Sequence, residues 1–154
     1  MTILQIDRSK PFDPVGAFGS GWSILEEDSR SLLLTEIDLS KVSFQTMLKH
    51  DELMGIDSEE LLKRLKANGS IRLDAGIFQT IYENQELIPR FWRELAEDWI
   101  EKESPFIFAD GTVLQKSGCS ATLYMFCRNG FWHLQYAWSV IPRQHFCLSA
   151  VLAS

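Results

Sequence analysis

A chain of 154 residues, 45% hydrophobic and 12% aromatic, can bury one sizeable core; it is too short for two ordinary domains and too apolar to stay unfolded. With Lys and Arg at 15 against Asp and Glu at 21, the formal charge is −6, which disfavours a protein whose affinity rests on neutralising the phosphates of duplex DNA or RNA. MTILQIDRSK lacks a basic region followed by an apolar stretch, no run reaches the roughly 18 to 20 apolar residues of a membrane span, and an odd number of cysteines fits reduced thiols, so the expectation is cytoplasmic, without membrane contact.

In chain order, residues 1–21 read as an irregular entry, since KPFDPVGAFGSG (residues 10–21) carries two prolines and three glycines. Residues 22–48 read as strands: Trp22 to Leu25, then Leu32 to Leu39 after a polar loop, with Val42 to Leu48 open between a further strand and a helix start. Residues 57–102 carry the period of helices. Asp57 and Glu60 form a capping box ahead of Leu61, Leu62 and Leu65, and Gly69 supplies the stop. Asp74 caps a second helix that buries Ile77, Phe78, Ile81 and Tyr82. A third begins with Pro89 in its first turn and sets Phe91, Trp92, Leu95, Ala96, Trp99 and Ile100 on one stripe.

Over residues 106–154 the period falls to two. FIFADGTVL has Asp110-Gly111 and ATLYMFCRNGFWHLQYAW has Asn129-Gly130, and both dipeptides suit the two positive φ angles of a type I′ turn. Two successive C-terminal hairpins are expected, with His145 to Ala153 as a last strand. The expected fold class is α+β in one domain, 1–154: an antiparallel sheet of about five to seven strands, with about three short helices from the middle of the chain packed on one face.

The stretches LTEIDLSKV (34–42), EELLKRLKA (59–67), IRLDAGIFQTIYENQELIP (71–89) and FIFADGTVL (106–114), with the ending SAVLAS, resemble a group of bacterial proteins of uncharacterised function. The segment around Arg72, Asp74, Glu83, Asn84 and Pro89 is the most specific part. The resemblance implies a bacterial origin and a shared fold; it implies no activity, cofactor or catalytic residue.

Pairing across Asn129-Gly130 puts Ala121, Leu123, Met125, Cys127, Trp132, Leu134, Tyr136 and Trp138 on one face, the expected core face. The other face carries Tyr124, Phe126, Arg128, Phe131, His133 and Gln135, three aromatics interleaved with a cation, an imidazole and an amide. These six are the candidate binding residues, able to stack a planar or sugar-like ligand or to anchor a protein partner. The opposing expectation is that helices or N-terminal strands cover this face and function lies elsewhere. An enzyme reading takes His133 as acid or base, with Arg128 or Gln135 orienting a small substrate. Single-stranded nucleic acid on the aromatics is disfavoured by the acidic balance. Cys119, Cys127, His133, His145 and Cys147 lack the tight pairs of a zinc site, so no metal or cofactor is expected. Asp74 and Asp110 have structural uses, as helix cap and turn residue. The preferred expectation is a non-enzymatic binding or interaction module using an exposed aromatic sheet face, with homo-oligomers open to it.

Overall fold

A computed structural model describes residues 1–95 and 105–154. Among the described residues, β1 (Ile3–Gln5) and β3 (Glu36–Asp38) form a small antiparallel ribbon. Eight further strands make one sheet: β2 (Trp22–Glu27), β4 (Ser43–Gln45), β5 (Ile71–Arg72), β6 (Phe106–Phe108), β7 (Thr112–Lys116), β8 (Cys119–Arg128), β9 (Phe131–Trp138) and β10 (Cys147–Leu152). The helices are α1 (Pro14–Phe18), α2 (Ser29–Leu32), α3 (Ser58–Asn68), α4 (Ala75–Glu83) and α5 (Phe91–Glu94).

The α+β class holds, with several corrections. The sheet is larger than expected and mixed, because β6 and β10 run parallel. Residues 1–21 are not wholly irregular: they supply β1 and α1, the latter capped by the Asp13 carboxylate on the Val15 amide. Leu32 to Leu39 is not one strand, since Asp28 caps α2 through the Arg30 amide and the strand is confined to Glu36–Asp38. The two middle helices form where expected: Asp57 accepts from the Glu60 amide, Gly69 ends α3 at φ 83°, and Asp74 accepts from the amides of Gly76 and Ile77. Two details differ: the Glu60 carboxylate accepts from Arg64 at 3.1 Å instead of closing the capping box, and Tyr82 is exposed rather than buried. Of the third helix, Phe91–Glu94 is seen, and Ala96, Trp99 and Ile100 lie outside the described residues.

Asp110-Gly111 is not a hairpin turn. Phe108 pairs with Tyr124 and Leu114 with Ala121, so β6 and β7 lie along the same edge of β8 as two parts of one interrupted strand. Between those pairs the chain takes six steps against three on β8, and the excess is a bulge at Ala109–Thr112. The turn that joins β7 to β8 is Ser117-Gly118, whose φ angles of 52° and 79° match a type I′ turn, as do 54° and 81° at Asn129 and Gly130. The bulge lets β8 support two wings, with β2 pairing β7 and β10 pairing β6.

Helices cover both faces rather than one. The main core runs from Leu4 to Ala150 and takes Ile77, Phe78 and Ile81 of α4 and Trp92 of α5. A second cluster joins Leu61 and Leu65 of α3 to Ile56 and Val151. Ala150 and Val151 are neighbours on one strand and point to opposite faces, so α3 lies across the sheet from α4.

Candidate functional site

The β8–β9 hairpin has the expected register, from Arg128 opposite Phe131 to Ala121 opposite Trp138. Its inner face enters the core as expected. On the outer face Phe126 is only 8% exposed and Tyr124 is half-buried, whereas Phe131 is 68% exposed and Arg128, His133 and Gln135 are exposed. The cover is aromatic. Phe106 lies 5.0 Å from Tyr124, 5.6 Å from Phe126 and 5.5 Å from Phe146. Phe108, Tyr124, Phe126 and His133 stack in sequence at 5.1, 5.8 and 5.1 Å, and the Arg143 guanidinium lies 3.5 Å over the Phe108 ring. Burial pushes the Tyr124 phenol up, the nearby Cys147 thiol adds to this, and Arg128 opposes it. Tyr124 and Phe126 are thus packing residues along most of their surface, and Arg128, Phe131, His133 and Gln135 form the rim. His133 is not among the residues that line the outer-face cleft.

That cleft lies at the Thr122 end of the same face, with a volume of about 430 Å³. It follows from the bulge. Gly111 donates its amide to the Leu73 carbonyl (2.9 Å) and accepts from the Asp28 amide (2.7 Å), and a Cβ at Gly111 would collide with the backbone of Arg72 and Leu73. This close approach holds Asp110 at the break between the wings. Arg72 donates to the Asp110 carbonyl at 3.0 Å, and Arg143 grips its carboxylate at 2.7 and 3.3 Å. Both side chains of this pair are about nine-tenths or more buried, at 5% and 6% exposure. Arg143 is in turn fixed by a two-way backbone bridge to Ile56 (3.0 and 2.7 Å), where a Cβ on Gly55 would meet the Arg143 carbonyl.

Leu25, Leu62, Val113 and Val140 wall the cleft, and the hydroxyl residues Ser58, Ser120, Thr122 and Ser139 line it between them. Four carboxylates, Glu26, Asp57, Glu59 and Asp110, face it with one guanidinium, Arg143. Asp57 also caps α3, and Glu26 is met by Lys66 at 2.7 Å.

Deeper in the break, Asp74 does more than cap α4. Arg8 binds its carboxylate at 3.0 Å to each oxygen, and the Ser31 hydroxyl donates to it at 2.5 Å. Thr112 accepts from the Ala75 amide and donates to Glu27, both at 2.9 Å. Burial raises the Glu27 carboxyl above its usual range, the Thr112 hydroxyl pulls it down, and the Asp74 charge pushes it up further. For Asp28 burial acts against the charge, but the Arg30 side chain, the amides of Arg72 and Arg30 and the Arg72 charge together hold the carboxyl below its usual range. These groups tie α2, β5 and α4 to the bulge.

Sequence reasoning missed Arg143 and gave Asp110 a turn. The available sign was an aspartate inside the otherwise apolar FIFADGTVL: a carboxylate buried in a strand needs a cationic partner, and VIPRQHF offers one. Among the described residues no group of three His, Cys, Asp or Glu is placed to hold a metal ion, and no helix is long and apolar enough to cross a membrane. No family model, no curated protein and no solved structure matches this chain.

Proposed function

We propose that this protein is a non-enzymatic binding module, that its ligand sits on the outer face of the sheet, and that the seat is the cleft over the Asp110–Arg143 pair rather than the aromatic row. The observation that carries this reading is a concavity of about 430 Å³ with apolar walls and a few converging polar groups, the usual make-up of a small-molecule site. Its charge favours a cation: Asp110 already neutralises Arg143 and Lys66 meets Glu26, which leaves Asp57 and Glu59 facing the opening. The ligand class is therefore a small organic cation with an apolar body, which would set its head among the carboxylates and its body against Leu25, Leu62 and Val113. Phe131, His133 and Gln135 then serve as the outer margin of the same face. The rival enzyme reading has less support, since the ring contact of His133 is the apolar face of Phe126.

Calorimetric titration with phenethylamine, and with phenylacetate as its anionic counterpart, tests the proposal. The amine should bind and the acid should not, binding should weaken with salt, and Val113→Phe should abolish it. Equal binding of both probes, or undiminished binding to Val113→Phe, would sink the reading.

A further inference from the structure

Among the described residues strand β9 pairs with β8 alone and so presents an edge. In an antiparallel hairpin, alternate residues direct their N–H and C=O groups at the partner strand and the rest direct them outward. The two-residue turn makes Arg128 and Phe131 a bonded pair, so Trp132, Leu134, Tyr136 and Trp138 face outward. The Trp132 end of this row is taken, and at the other end the Trp138 carbonyl is taken. The Gln85 amide donates to the Trp132 carbonyl at 3.1 Å and accepts from its N–H at 3.0 Å, and the Trp138 carbonyl accepts from the Ile141 N–H at 3.1 Å. Between them, the outward groups of Leu134 and Tyr136 have no backbone or side-chain partner among the described residues. The open window is bounded symmetrically about Gln135.

We infer that a second copy of this chain docks there, β9 against β9 and antiparallel, about a two-fold axis at Gln135. Such an axis sets Leu134 opposite Tyr136 of the second copy, and the reverse, giving about four new inter-strand hydrogen bonds from groups that already point outward. Pairing stops on both sides where Gln85 and Ile141 occupy the ladder. The side chains allow it: Gln135 meets its own copy and His133 meets Ala137, so the axis brings no two charges of one sign together. The window also lacks the lysine, proline or register shift that guards exposed edges. The same operation carries Phe131, 68% exposed, toward Ser139 and Val140 of the second copy, where Val140 is 84% exposed. The two outer faces then join into one surface. This inference is independent of the cleft and survives its failure.

Sedimentation equilibrium of the full chain tests it, with Gln135→Lys and Gln135→Glu as variants at an exposed position. The wild type should be dimeric in the micromolar range. Each variant should lower the association constant at least about tenfold, and an equimolar mixture of the two should restore dimers as opposite charges meet across the axis. In a Cys119→Ser background, Gln135→Cys should cross-link on oxidation, because opposed residues of a non-bonded pair have Cα atoms about 4.5 Å apart, within disulfide range. A monomeric wild type at about 100 µM, charged variants that associate like the wild type, or an unlinked Gln135→Cys protein would each overturn it.

Discussion

Phe126 and Phe131 flank the same turn and share a face, yet they do different jobs. Phe126 is sandwiched among Phe106, Tyr124 and His133, whereas Phe131 has little cover. Phe126→Ser should therefore cost about 3 to 5 kcal/mol in urea unfolding, and Phe131→Ser should stay within about 0.5 kcal/mol of the wild type. Arg143 is the second decisive residue. Arg143→Met strands the Asp110 carboxylate in a buried site and should cost about 3 to 5 kcal/mol, and adding Asp110→Asn should recover most of that loss because no buried charge is left unpaired. A double variant as unstable as the single one would show that the pair's geometry, not its charge balance, holds the bulge.

Strand pairing was legible where it is local. The alternation around Asn129-Gly130 specifies both the register and the inward face, since a one-residue slip would send Trp132, Leu134 and Tyr136 to solvent. The same rule misled at Asp110-Gly111. There the glycine is needed for close approach of the Leu73 backbone and the aspartate for Arg143, while the weaker-looking Ser117-Gly118 makes the turn. Contacts between distant segments, such as the parallel β6–β10 pair and the seating of α3 over Val151, leave no periodicity to read. For this reason the aromatic row could be named in advance and the cleft could not: its lining comes from β2, the bulge, β7, β8, α3 and the loop after β9. Gly111→Ala should cost about 3 kcal/mol or more, because the clash is with backbone that no rotamer relieves. Gly130→Ala, at φ 81° with open space around the added Cβ, should cost only about 1 to 2 kcal/mol. Equal losses would contradict the bulge as the sheet's organising feature.

Across the whole molecule, two carboxylates respond to acid in opposite ways. Arg64 binds both oxygens of Glu52 at 2.6 and 2.8 Å, and with the Lys49 amide lowers its pKa to about 2. That depressed value contributes stability above the ordinary carboxylate range, lost as pH falls toward about 2. Glu27 is raised, chiefly by burial, so its ionised form opposes folding once pH exceeds its folded-state value. In thermal unfolding at neutral pH, Glu52→Gln should lower Tm and Glu27→Gln, which keeps an acceptor for Thr112, should raise it; both differences should vanish in strong acid. The bulge, the wings it separates and the helix α3 laid over one of them also create the concavity on the outer face, which is the centre of the functional account. Amide NMR titration with phenethylamine tests that account most directly. Shifts should concentrate at Val113, Ser120, Thr122 and Arg143 and spare Phe131 and His133. Shifts centred on Phe131, His133 and Gln135, or none at all, would contradict it.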